Sequence, residues 1–143
     1  MDILVIVILL FIILESFNIA FLYFNPGSRK GNGVGVFNAW EKSKSDPEVH
    51  QFVRYLVNWV AGTKLIFILL LIVIVITGDE ITRMWSVIAL ILSIFSFYFR
   101  LYPFIRQMDA QGQITPKGYS KMLGMMITGM IVVFCGALLI FLL

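Results

Sequence analysis

Two ionisable side chains, Glu15 and Lys64, lie near the middle of long apolar stretches of this 143-residue chain. A charged group is costly to place inside a lipid bilayer, so an ionisable residue at that depth is usually paired or has a functional role. Three uncharged polar residues fall at a similar depth within the apolar stretches. We expect the five side chains to form one intramembrane polar layer: Glu15, Asn18, Lys64, Ser96 and Thr128.

This polar layer has three interpretations. Glu15 and Lys64 can form a structural ion pair, with the neighbouring polar groups satisfying the remaining hydrogen-bonding atoms and fixing the register of the helices. Alternatively, Glu15 can bind and release a proton or a cation during transport, because a desolvated carboxyl group takes up a proton more easily than one in water. In the third interpretation, Lys64 extends to the membrane interface and Glu15 faces a partner protein.

The residues that usually carry catalysis or bind metals are scarce in this chain. His50 is the only histidine and Cys135 the only cysteine, which argues against a zinc site. The sequence identifies no serine nucleophile with a general base beside it, and the glycine-rich segment 27–35 lacks the Gly-Lys-Ser/Thr sequence of a phosphate-binding loop. Basic residues are too few and too close to the apolar stretches for nucleic-acid binding. We therefore predict a non-enzymatic protein with no catalytic residue, metal or other cofactor.

Four apolar stretches, each long enough for one membrane-spanning helix, occupy most of the chain. They cover about residues 3–24, 57–77, 84–102 and 119–143. An α-helix needs about 20 residues to cross a hydrocarbon core about 30 Å thick. Charged residues make up only 13% of the chain, against about 25% in soluble domains, and the mean hydropathy is +0.96. The sequence therefore predicts an all-α integral membrane protein, in which residues 1–143 form a single transmembrane domain with four transmembrane helices in a bundle.

The basic residues predict the orientation of the bundle, because lysine and arginine concentrate on the cytoplasmic side of a membrane. They cluster around the first and third connections, whereas the short second connection near Gly78 carries two acids and one base. We therefore predict that both termini lie outside, that both basic loops are cytoplasmic, and that the protein resides in a plasma or inner membrane. Five basic residues are candidates for contact with anionic lipid headgroups: Arg29, Lys30, Arg54, Arg100 and Arg106.

Residues 25–56 are predicted to form a cytoplasmic loop that ends in a helical extension. The glycine-rich segment 25–35 is expected to be irregular. The sequence Ser-Asp-Pro-Glu at 45–48 predicts a helix start, with Ser45 as the N-cap and Glu48 completing a capping box. The second helix is then expected to run to Thr77, so that its first turns project beyond the hydrocarbon.

Two prolines predict the ends of the remaining helices. Pro103 is expected to end or kink the third helix, because proline lacks a backbone N–H and its ring clashes with the preceding turn. Thr115-Pro116 is expected to start the fourth helix, with proline at the first helical position.

Small residues recur at spacings of three and four in the third apolar stretch, which places them on one face of a helix. They are Ser86, Ala89, Ser93 and Ser96, and the stripe continues to Arg100. Small side chains let helices approach closely within a membrane. We interpret the stripe as a packing surface; the alternative is that it lines a polar path toward Arg100.

Two classes of function fit these patterns. The first is a small polytopic membrane protein that binds membrane partners or lipids, as an accessory subunit, an assembly factor or a lipid-interacting bundle. The second is a small transporter or channel that uses Glu15 as its proton or cation site and works as a homo-oligomer, because four helices rarely enclose a pathway alone. The expected partners are membrane lipids, together with further copies of the chain or a larger membrane protein.

Overall fold

The computed structural model of this protein describes residues 2–30 and 33–143, and within those ranges the regular structure is helical. The α-helices are α1 (Ile3–Phe24), α2 (Asn38–Ser43), α3 (Pro47–Thr77), α4 (Glu80–Phe95), α5 (Phe97–Ala110) and α6 (Tyr119–Leu142), and a 3₁₀ turn (Val34–Val36) precedes α2. Helices α1, α3 and α6, and α4 together with α5, are long and apolar enough to cross a membrane. The prediction of an all-α chain with four such helices is confirmed.

Helix α3 begins where the sequence predicts, but with a different capping residue. The Asp46 Oδ1 atom accepts hydrogen bonds from the backbone N–H groups of Glu48 and Val49, at 3.0 and 3.2 Å. The Ser45 hydroxyl instead donates to the carbonyl of Lys42 at 2.8 Å, so the prediction that Ser45 is the cap was wrong. A carboxylate is a strong acceptor for the free N–H groups of a helix start, and its charge also favours that position.

The third membrane-length helix is interrupted at Ser96, not at Pro103. The Ser96 hydroxyl donates to the carbonyl of Ser93 at 2.6 Å, and such a bond competes with the backbone ladder of the helix. Pro103 lies inside α5, which continues to Ala110. The prediction that Pro103 ends the helix was therefore wrong, whereas a kink at Pro103 stays a prediction.

Helix α6 begins at Tyr119, so the prediction that Thr115-Pro116 starts it was also wrong. Gly118 has a φ of +88°, a left-handed conformation that does not belong to an α-helix. The first N–H groups of α6 are satisfied from the preceding helix, because the buried Asp109 carboxylate accepts from the backbone N–H groups of Gly118 and Ser120, each at 2.9 Å.

One end of the bundle, called here the Asp2 end, is tightly packed. Leu4 and Ile8 of α1 and Val87 of α4 are completely buried in the main apolar core. Asp2 caps α1 by accepting from the N–H of Leu4, and its other carboxylate oxygen lies 3.9 Å from the Arg83 guanidinium. The helices therefore meet closely at this end.

The opposite end carries a folded cap, made of residues 25–30, 33–46 and 111–118. The two connections bind each other, because Thr115 N–H donates to the Val36 carbonyl at 2.8 Å and Asn38 N–H donates to the Gln113 carbonyl at 2.9 Å. A second apolar core lies beneath them: Val36, Ile105, Ile114, Tyr119 and Leu123. The two basic connections thus occupy the same end of the bundle.

The glycine-rich part of the cap is held by specific contacts. Val34 N–H donates to the Pro26 carbonyl at 2.9 Å. Gly35 lies so close to the Gly27 carbonyl that a Cβ atom on Gly35 would collide with it. The segment contains no α-helix, as expected, but its described part has a defined path; residues 31 and 32 lie outside the described residues.

Candidate functional site

Glu15 of α1 and Lys64 of α3 form an ion pair, with Lys64 Nζ 2.7 Å from Glu15 Oε2. At 1.5 Å per residue, Glu15 lies about 18 Å beyond Ile3 and Lys64 about 20 Å before Thr77, so both charges have the same depth from the Asp2 end. Helices α1 and α3 make the most extensive contact in the bundle, which brings the two side chains together.

Asn18, one turn after Glu15, extends this polar cluster. Its Nδ2 atom donates to Glu15 Oε2 at 3.4 Å. This contact determines the orientation of the amide, because a carboxylate only accepts and the nitrogen must face it. Asn18 is only 7% exposed. Its Oδ1 atom is buried, and no group in residues 2–30 and 33–143 donates a hydrogen bond to it.

A cavity of about 880 Å³ lies between α1, α3, α4 and α6, and the polar cluster forms part of its wall. Most of the wall is apolar and aromatic, including Phe67, Met130 and Phe134. Its polar side chains are Glu15, Asn18, Lys64, Ser86 and Ser93. Glu15 and Lys64 keep 19% and 31% of their side chains exposed, so the pair is accessible from the cavity while most of its surface is covered by protein.

The cavity has one weakly closed side. Helix α1 packs against α3 and α6, and α6 packs against α4, whereas α3 and α4 make few contacts with each other. The packed core at the Asp2 end closes the cavity there, and Leu123 and Ile127 are shared between the cavity wall and the core beneath the cap. The cavity is therefore accessible from the side, between α3 and α4.

The structure brings together only part of the predicted polar layer. Glu15, Asn18 and Lys64 meet, but the Ser96 hydroxyl bonds within its own helix, to Ser93. The Thr128 hydroxyl is hydrogen-bonded to the Tyr98 hydroxyl, at 2.7 Å, and to the carbonyl of Gly124. Depth along a helix does not specify which face a side chain occupies, and this explains the difference.

The small-residue stripe of the third apolar stretch lies partly along the cavity and is not only a surface for packing between helices. Ser86, Ala89 and Ser93 line the cavity, where their small side chains leave space beside α3. Sequence spacing placed these three residues on one face, but Ser96 and Arg100 of the predicted stripe are not part of the cavity wall. It did not indicate that the neighbouring helix lies too far away to fill that face.

The five headgroup candidates are all exposed and lie toward the cap. Arg29 and Lys30 belong to the cap, Arg54 to the first turns of α3, and Arg100 and Arg106 to α5. In the described part of the chain, none of them forms an ion pair. Exposed rings accompany them on α3, where Tyr55 lies between Phe52 and Trp59 with ring centroids 6.4 Å apart on each side.

The lone histidine attaches the cap to α3. The Ser43 hydroxyl donates to the Trp40 carbonyl at 2.8 Å, so it accepts from His50 Nδ1–H at the same distance. The Trp40 and His50 ring centroids are 4.9 Å apart. Among the described residues, no group of three or more histidine, cysteine or acidic side chains is arranged to hold a metal ion.

Asp109 links the end of α5 to the start of α6, and its position in a turn-forming sequence did not indicate this link. Besides the two backbone groups at the start of α6, its carboxylate accepts from the Ser120 hydroxyl at 2.6 Å. An acidic residue before a glycine-containing connection is a common turn signal, so the sequence alone does not distinguish this linkage from an ordinary turn.

Comparison of the chain with protein families, curated proteins and solved structures finds no match.

Proposed function

We propose that this protein is a non-enzymatic integral membrane protein that binds a single membrane lipid in the cavity between its four long helices. The cavity is the observation that carries this proposal. Its volume of about 880 Å³ falls in the range of about 300–1,000 Å³ that is typical of sites for one small ligand. Its largely apolar wall suits a hydrocarbon chain, and the weak contact between α3 and α4 offers a route from the bilayer.

The proposed orientation places the cap in the cytoplasm and both termini outside. The support is the concentration of basic residues at the cap, together with two acids in the connection at the Asp2 end. In this orientation Arg29, Lys30 and Arg54 contact the anionic headgroups of the inner leaflet of a plasma or inner membrane. Arg100 and Arg106 act in the same way from α5.

The test is a lipid titration that compares two alanine substitutions. Ala89 lines the cavity, whereas Ala20 is an exposed residue of α1 outside it. Delipidated protein in detergent is titrated with 1-palmitoylglycerol while its thermal unfolding is followed. At about 100 times the Kd, one bound ligand raises the unfolding free energy by about 2.7 kcal/mol.

The wild-type protein and Ala20→Phe are expected to show this saturable stabilisation. Ala89→Phe is expected to lose it, because the ring occupies the space that the lipid needs. Equal stabilisation of the two variants would show that the lipid binds elsewhere and would reject the proposal.

A transporter or channel is the second candidate, and the exposure of Glu15 to the cavity favours it. A carboxylate in the wall of an intramembrane cavity can exchange a proton with a substrate that enters the same space. This candidate predicts a homo-oligomer, whereas an accessory role predicts a complex with a larger membrane protein. In proteoliposomes, Glu15→Gln abolishes coupled proton flux if the candidate is right, and unchanged flux rejects it.

A further inference from the structure

A second recess, called here the α5–α6 groove, lies where these two helices pack together and opens to the outer surface of the bundle. Its volume is about 450 Å³, and Gly129 is the lining residue that it has in common with the cavity. Tyr98 and Tyr102 form its α5 side, and its α6 side runs from Lys121 to Gly129. At 1.5 Å per residue, the α6 side is about 12 Å long. The groove therefore begins near the cap, at Lys121, and extends toward the middle of the bundle.

Contacts between the two helices fix the shape of this groove. The Tyr98 hydroxyl donates to the Gly124 carbonyl at 2.8 Å and lies 2.7 Å from the Thr128 hydroxyl, which bonds to the same carbonyl at 2.9 Å. The Tyr102 ring rests on Gly124, where a Cβ atom would lie 3.0 Å from the ring. Each hydroxyl has one hydrogen, so Tyr98 and Thr128 use their donors within the protein.

Two other donors of the groove remain free. In residues 2–30 and 33–143, no group accepts a hydrogen bond from the Tyr102 hydroxyl, and its oxygen keeps accessible surface. The exposed Lys121 ammonium pairs with none of the described acids, and no acidic side chain lines the groove. The groove therefore carries an uncompensated positive charge, in contrast to the cavity, where Glu15 compensates Lys64.

An anionic group with several acceptor oxygens matches these two donors. A phosphate can accept from an ammonium and from a hydroxyl at once, and bonds to a charged acceptor are stronger than neutral ones. Beyond this polar end, the exposed Met125 and Gly129 offer an apolar path for a hydrocarbon chain attached to the phosphate. We propose that the α5–α6 groove binds one anionic phospholipid, whose phosphate contacts Lys121 and Tyr102.

The test compares two phospholipids that have the same chains. Delipidated wild-type protein in detergent is titrated with radiolabelled dioleoylphosphatidylglycerol, which is anionic, or dioleoylphosphatidylcholine, which is zwitterionic. Because the groove is open, its lipid exchanges with detergent, so equilibrium binding of added lipid is measured. We expect the anionic lipid to bind about tenfold more tightly, as one charge-assisted hydrogen bond predicts. Equal affinity for the two lipids would overturn the proposal.

Three substitutions test which residues carry the preference. Lys121→Gln removes the charge and is expected to abolish the tenfold preference. Tyr102→Phe keeps the ring on Gly124 but removes the hydroxyl, and it is expected to weaken binding of the anionic lipid about fivefold. The control is Lys42→Gln, which removes an exposed charge of α2 that has no ion pair among the described residues. Equal weakening by Lys121→Gln and Lys42→Gln would show a general effect of net charge and would overturn the assignment.

Two further measurements separate the groove from other sources of binding. Ala89→Phe, which fills the cavity, is expected to keep the preference for the anionic lipid, whatever the outcome for the cavity itself. Loss of the preference in this variant would place the anionic lipid in the cavity and overturn the groove site. Inorganic phosphate at the concentration of the lipid is expected not to displace it. Displacement would identify a site for free phosphate and overturn the assignment of a lipid.

Discussion

The ammonium of Lys64 and the carboxylate of Glu15 meet at 2.7 Å across the α1–α3 interface, although 49 positions separate them in the chain. Each is the charged residue nearest the middle of its helix, and each compensates the other. The pair therefore serves both as a specific link between two helices and as the polar part of a cavity that is otherwise largely apolar.

Removing one member of this pair should cost more than removing both. Glu15→Gln leaves the Lys64 ammonium unpaired in a largely apolar cavity wall. We expect a loss of about 2 kcal/mol in unfolding free energy, below the 3–5 kcal/mol of a fully buried pair because both side chains are partly exposed. Adding Lys64→Met should recover much of that loss. The measurement is a double-mutant cycle by chemical unfolding in detergent, and strictly additive losses would contradict the pairing.

Asp109→Asn should loosen the junction between α5 and α6. The carboxylate accepts from Gly118 N–H, from Ser120 N–H and from the Ser120 hydroxyl, whereas an amide presents its own donor to one of these groups. We expect a loss of about 2 kcal/mol in unfolding free energy. The control is Glu41→Gln, which breaks an exposed pair with Lys44 and should cost at most about 0.5 kcal/mol. Equal losses in the two variants would argue against a special role for Asp109.

A methyl group should have opposite effects at two glycines. Gly35→Ala places a Cβ atom against the Gly27 carbonyl, so the cap must open. A Cβ atom at Gly136, in α6, has no neighbouring atom within 4 Å. Gly136→Ala should therefore stabilise the helix by up to about 1 kcal/mol. Limited trypsin digestion in detergent should cleave Gly35→Ala faster than wild type at Arg29 and Lys30. Unchanged cleavage would show that the cap tolerates the extra methyl group.

The sequence was informative where a single physical requirement dominates. The four membrane-length helices follow from the need to satisfy backbone groups in lipid, and their apolar runs identify them directly. The common depth of Glu15 and Lys64 follows from counting residues along two such helices. These features depend on local composition and on the constant rise of the α-helix.

Features that depend on contacts between distant segments were not predictable in this way. The separation of Thr128 from the polar layer depends on the rotation of α6 and on the partner hydroxyl of Tyr98. The cap depends on pairing between Val36 and Thr115, and no periodicity in either connection indicates it. The cavity depends on the spacing of α3 and α4, which apolar patterning leaves undetermined.

The proposed orientation can be tested with single cysteines at the two ends of the bundle. Lys30 in the cap and Glu80 at the Asp2 end are both exposed, and each is replaced by cysteine in a Cys135→Ala background. In intact cells a membrane-impermeant maleimide should label Glu80→Cys and spare Lys30→Cys until the membrane is opened. The reverse pattern would invert the orientation.

Native mass spectrometry of the protein released gently from its own membrane shows directly whether the cavity holds a lipid. We expect one lipid-sized additional mass per chain in the wild type and in Ala20→Phe. We expect its loss in Ala89→Phe, because the phenylalanine ring fills the cavity. An empty wild-type protein, or the same retained mass in both variants, would contradict the claim that the cavity between α1, α3, α4 and α6 is a lipid site.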